Sequence, residues 1–266
     1  MKYFTYKTFL AIYVVSVLFS ACTNSGAEKQ AITVEKKDTL IIHDEELRRT
    51  AALFKEGTLP FTADTALLYH LIKYDSLGTK EVQALAKQWF KHDLVSVVNY
   101  EFTDFYKIDS IKATGHYAKW CETLDIGMTK FANAYAVCKL KIDSTTYALV
   151  WAMHTSSYEA CPYSIVYTTY FTLIHKGDVG ETFVLGQYMS AADAPASMER
   201  TINGALLANG TFNLMFKETQ DEGDSLPEVM LTKEQYNFAI QGGVIKVLSE
   251  KKESTQKVKR EGPASN

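Results

Sequence analysis

Apolar and polar positions divide the chain into an apolar N-terminal run, a polar stretch, a short region of helical period and a long region of alternation. Phe9 to Phe19 is apolar apart from Ser16, and Thr23 to Asp38 is polar and without period. Asp44 to Glu56 reads as a helix. Asp44, Glu45 and Glu46 suit its positive end, Leu47, Ala51 and Phe54 recur at helical spacing, and Gly57 is placed to end it. A second helix is expected over Lys80 to Lys91, with Thr79 as N-cap and Val82, Leu85, Ala86 and Trp89 on one face. Leu67 to Ile72 fits a helix or a strand equally.

After Lys91 the period moves toward two. Val95 to Ile108 looks extended. In Phe131 to Ile142, Ala132, Ala134, Ala136, Cys138, Leu140 and Ile142 point one way, with Asn133, Tyr135, Lys139 and Lys141 on the other side. Tyr147 to Thr155, Tyr163 to His175 and Glu181 to Met189 are dense in Tyr, Thr, Val and Ile, with a turn at Gly177-Asp178. Asn209-Gly210 reads as a type I′ hairpin turn between Ala205–Ala208 and Thr211–Glu218, and Gln241-Gly242-Gly243 divides Tyr236–Ile240 from Val244–Leu248. Short strands joined by tight turns pair antiparallel. No fixed-period repeat appears. The fold class expected is mainly β (α+β): an antiparallel β-sandwich or open barrel carrying one or two N-terminal helices. The domain is expected over residues 39–248, with 249–266 a disordered charged tail.

Composition supports a folded domain, with 47% hydrophobic and 22% charged residues. A net charge of −3 argues against nucleic acid as a partner. The sixteen Tyr and fourteen Phe suit a β core, and the sharper alternative is that some form aromatic platforms for sugars.

Lys2 and Lys7 precede the apolar run, and the small residues Ser20 and Ala21 precede Cys22. About eleven apolar residues are too few for a membrane-spanning helix, which needs roughly 20, and fit a signal-peptide core. Leu18-Phe19-Ser20-Ala21-Cys22 resembles the lipobox of bacterial lipoproteins. That resemblance covers residues 1–22 only. It implies removal of residues 1–21, a diacylglyceryl group on the Cys22 sulfur and an acylated new amino terminus, with palmitate-type chains as the membrane partner. The expected address is the cell envelope, at the outer membrane or the periplasmic face. Residues 22–38 would then be a lipidated tether with a reach of about 20–25 Å.

With Cys22 assigned to lipid, Cys121, Cys138 and Cys161 remain, an odd number. An oxidising compartment permits one bridge; Cys121 with Cys161 is the preferred pair, and no bridge at all is the alternative. Cys161-Pro162-Tyr163-Ser164 resembles a monothiol glutaredoxin loop. Ile165 to Phe171 reads as a strand, however, and the helix that would activate the thiol is missing. The histidines His43, His70, His92, His116, His154 and His175 show no metal-ligand spacing, so no metal and no cofactor are expected. Asp221, Glu222, Asp224 and Glu228 read as a solvated loop. No nucleophile elbow or phosphate-cradling loop is visible. The function expected is therefore non-enzymatic: a lipid-anchored envelope module binding another envelope protein or a glycan. The alternative is a lipid-anchored hydrolase of envelope or nutrient polymers whose acids or triad assemble only in the fold.

Overall fold

The computed structural model describes residues 41–94, 129–158, 163–223 and 228–259, all within one compact unit, Leu40–Asn266. Cys22, Cys121, Cys161, His116 and the expected strand at Val95–Ile108 lie outside the described residues.

Asp44 accepts a hydrogen bond from the Leu47 N–H at 2.9 Å and caps α1 (Glu45–Ala51), which turns Leu47, Thr50 and Ala51 inward. The helix stops well short of Glu56 because the following residues find better partners. Phe54 enters the core, and Lys55 to Gly57 lie along residue 139, where the Lys139 N–H donates to the Lys55 carbonyl at 2.8 Å and the Gly57 N–H to the Lys139 carbonyl at 2.9 Å. Leu67 to Ile72 becomes the end of α2 (Thr65–Leu68), capped by Asp64, and the start of a 3₁₀ turn, Leu71–Lys73. The second expected helix, α3 (Thr79–Leu85), has Gly78 rather than Thr79 at its cap and ends six residues before Lys91. Residues 88–90 are extended instead. The Thr182 N–H donates to the Gln88 carbonyl at 2.7 Å and the Phe90 N–H to the Thr182 carbonyl at 3.1 Å. Trp89 then meets Tyr170 at 5.5 Å while Phe90, on the other side, meets Phe183 at 5.3 Å. A tertiary pairing has overridden a helical pattern.

Among the described residues eleven strands form one antiparallel sheet: β1 (Phe61–Ala63), β2 (Asp75–Leu77), β3 (Thr129–Lys141), β4 (Thr146–Tyr158), β5 (Tyr163–His175), β6 (Asp178–Asp193), β7 (Ala196–Leu206), β8 (Thr211–Asp221), β9 (Glu228–Gln241), β10 (Val244–Lys252) and β11 (Gln256–Lys259). The order is β10-β9-β8-β7-β6-β5-β4-β3-β2, with β1 on β7 and β11 on β9. Two hairpins have two-residue loops with both φ values positive, Lys176-Gly177 and Gly242-Gly243. At Asn209-Gly210 only Gly210 has positive φ, and the Gly210 N–H closes a turn onto the Leu207 carbonyl at 3.1 Å. That loop is a four-residue turn ending in a left-handed glycine, not the two-residue type I′ turn. Within β3 a bulge at Val137 sets Ala136 opposite Trp151 but Cys138 opposite Val150, so the apolar series read as one face changes face there.

The chain is a mainly-β sandwich or open barrel with a few N-terminal helices. The β6–β7 ladder runs only from Gln187 to Asp193; beyond it β7 takes β1 as its partner and β6 takes residues 88–90. The parted halves face each other. Phe171 on β5 meets Phe212 on β8 at 5.1 Å although two strands separate them in the order, and Phe183 meets Phe212 and Phe238 at 5.8 and 5.1 Å. The opposite side of β4–β6 carries α3, with α1 packed on it. There Trp151 Nε1 donates to Thr172 Oγ1 at 3.0 Å, Thr172 and Thr182 hydroxyls lie 2.9 Å apart, and both approach the Leu85 carbonyl at the end of α3. Two threonines thus occupy a carbonyl that the helix end leaves without a partner.

Residues 249–259, expected as part of a frayed tail, are instead largely strand: β10 continues to Lys252 and β11 pairs Gln256–Lys259 with Leu231–Glu228. Their backbone bonds to the outer edge of β9 while nearly every side chain stays in water, a setting in which charged residues are tolerated and protect the edge.

Candidate functional site: a polar aromatic row

One residue from each of seven successive strands lies in a single cross-strand row. Asn133 on β3 pairs with His154 on β4, His154 with Tyr167, Tyr167 with Tyr188, Tyr188 with Thr201, Thr201 with Lys217, and Lys217 with Lys233 on β9. Every member is polar, and none is buried. At about 4.8 Å per strand the row measures about 29 Å.

The tyrosine end is the more elaborate. His154 stacks on Tyr167 with ring centres 4.2 Å apart and planes 6° from parallel. Tyr69, just after α2 and 59% exposed, stands over the row with its ring 6.0 Å from both Tyr167 and Tyr188. Asp64 positions it by capping α2, which packs on β5 and β6. Burial raises the Tyr167 hydroxyl above its ordinary value, helped by the hydroxyls of Tyr69 and Tyr135. Burial also raises Tyr188, followed by the Glu199 carboxylate and a hydrogen bond with Tyr69, while a bond with Ser190 opposes the rise. At neutral pH these phenols are protonated, so the surface offers aromatic faces together with hydroxyls that both donate and accept. Such surfaces make contact through rigid rings at low entropic cost.

Burial holds the His154 ring below its ordinary 6.5, so folding favours the neutral form. The unfolded chain takes up a proton first as pH falls through that value. The stability this position contributes is therefore present above about pH 6.5 and is lost on acidification toward the folded value. Melting temperature should accordingly fall more between about pH 7 and about pH 5 for the parent than for His154→Gln. Identical pH slopes would remove His154 as the cause.

The other sequence candidates are dispersed. His43 bonds Asp178 at 2.9 Å in solvent and His175 bonds Thr146 at 2.9 Å. His92 accepts the Leu94 N–H at Nδ1, which leaves Nε2 to donate to Glu250 at 2.8 Å, among the rings of Phe183, Tyr236 and Phe238. Nε2 thus ties the segment to β10, while Nδ1 closes it locally onto Leu94. Among the described residues no three His, Cys, Asp or Glu side chains gather closely enough to hold a metal ion. Cys138 is a buried free thiol, pushed up to about 12 by burial. The Cys161-Pro162 motif leads directly into β5, and no helix N-terminus follows it. Asp221 ends β8 and accepts the Gly223 N–H, and with Asp193 and Glu222 it lines a shallow concavity of about 310 Å³ floored by alanines at the β6–β7 hairpin. No described helix is long and apolar enough to cross a membrane.

The row itself escaped the sequence reading, because its members lie far apart in the chain and only the pairing register unites them. Comparison of the chain with protein-family models, curated proteins and solved structures finds no match.

Proposed function

We propose that this protein is a lipid-anchored module of the bacterial cell envelope that binds a glycan on the tyrosine end of the row. The observation that carries the reading is the cluster of Tyr69, Tyr167, Tyr188 and stacked His154, hydroxyl-bearing rings and an imidazole grouped on one face of the sheet. A sugar presents just such a mixture, apolar C–H faces ringed by hydroxyls, and aromatic side chains carrying polar groups answer both. The lipobox-like segment supports the address, with Cys22 as the lipidated residue and the membrane as its lipid's partner.

Isothermal titration of the full chain carrying Cys22→Ser against a panel of soluble polysaccharides tests the binding. Tyr69→Ala and Tyr167→Ala should each weaken association about tenfold, or about 1.4 kcal/mol. Tyr69 is exposed, so its loss should leave the melting temperature near the parent's. Affinity unchanged in both variants, release of reducing sugar by the parent, or capture of an envelope protein through the same tyrosines with no glycan bound would each overturn the reading. Intact-mass measurement of the native protein should show a chain beginning at Cys22 with added acyl mass; an unmodified start elsewhere would remove the anchor.

A further inference from the structure

The lysine half of the row extends the tyrosine site, and we infer that the whole row is one track for an anionic glycan, with sugar rings on the tyrosines and acidic groups at Lys217 and Lys233. This rests on the glycan reading above and adds the ligand's charge.

Both strands at that end carry a Lys-Glu dipeptide, Lys217-Glu218 and Lys233-Glu234. Alternation sends the two members to opposite faces, and the register sets lysine directly against lysine. The glutamates are matched on their own side, Glu218 by Arg200 at 2.7 Å and Glu234 by the Tyr236 hydroxyl. Neither lysine has an ion-pair partner among the described residues, and both are exposed. Like charges directly opposite on a sheet oppose folding, so this pair stands as a local cost that an anion would relieve. Lys251 enlarges the charge from the next row, where it pairs with Gln235, although Glu253 lies 3.5 Å from it. Midway along the row Glu199, two residues from Thr201 on the same face of β7, stands diagonal to both Tyr188 and Lys217. The charge asymmetry of the track comes from the lysines: acidic groups are drawn to the end at Lys217 and Lys233. The ladder from β5 to β9 is unbroken along the row, so nothing in the backbone separates the two halves.

Uronic-acid polymers and their methyl esters, polygalacturonate among them, share a backbone and differ in charge. Titrated onto the full chain carrying Cys22→Ser, the acid forms should bind at least about tenfold tighter than the esters, and the advantage should shrink from about 0.05 to about 0.3 M salt. Lys217→Gln with Lys233→Gln should erase the advantage, bringing acid binding down to that of the ester in the same variant; Tyr69→Ala should weaken both polymers. Equal binding of acid and ester, or an advantage that survives the lysine substitutions, overturns the track and leaves the glycan reading standing. Binding of neither polymer overturns both. Partition onto phosphatidylglycerol vesicles, abolished by the lysine pair and accompanied by no acid–ester difference, overturns the track in favour of a lipid surface.

Discussion

Gly204→Ala is expected to lower the free energy of unfolding by about 3 kcal/mol or more, among the larger losses a single methyl group can cause. Gly204 lies on β7 between Ala63 of β1 and Leu214 of β8, where the two halves of the sheet close on each other. A Cβ there would stand 1.9 Å from the Leu185 carbonyl oxygen and 2.6 Å from Leu214 Cδ2. The nearer atom is backbone in the middle of β6, so relief requires moving a strand. At a glycine with room, alanine usually stabilises by narrowing the unfolded ensemble, which makes the sign of the change diagnostic. Urea unfolding of parent and variant supplies the measurement. A midpoint at or above the parent's would mean that β7 does not press on β6 at this point.

Arg200→Met should cost about 3 kcal/mol, because it leaves the Glu218 carboxylate without its cation in a nearly dry site. The two residues are direct cross-strand partners, with side chains 10% and 14% exposed, and both Nε and Nη2 of the arginine approach one carboxylate oxygen at 2.7 Å. The guanidinium also lies 5.8 Å from the centre of the Phe216 ring. Replacing both charges, Arg200→Met with Glu218→Met, should recover much of the loss, since no stranded ion remains. A double-mutant cycle that came out additive would show that the pair contributes nothing beyond its separate parts.

The sequence made β4 and β5 plain, because their runs of Tyr, Thr and Val are strand-forming whatever surrounds them. Gly242-Gly243 and the acidic start of α1 at Asp44 were equally local and equally readable, although Asp44's part as the cap itself emerged only in the fold. What escaped depends on partners remote in sequence. Trp89 keeps helical spacing with Val82 and Leu85, yet the free edge of β6 at Thr182 draws its segment into extended pairing. Ser249 to Lys259 has the composition of a solvated tail and becomes strand because β9 offers it an edge. The strand β7 begins among alanines and serine, whose propensities give no sign of it. The candidate site is the extreme case. Tyr167, Tyr188, Lys217 and Lys233 are unremarkable singly, and their alignment is a product of register; only the repeated Lys-Glu pairs, read with strand parity, hinted that charge would segregate.

Residues 88–90 carry a consequence for how the chain is made. They cover the β6 edge where the sheet parts, and an uncovered edge there would offer its amides to any neighbouring molecule. Because this cover lies upstream in the sequence, it leaves the ribosome before the strand it shields. The segment that pairs with the β6 edge at Thr182 is thus already present in the chain when β6 is made, so covering that edge needs no later part of the sequence.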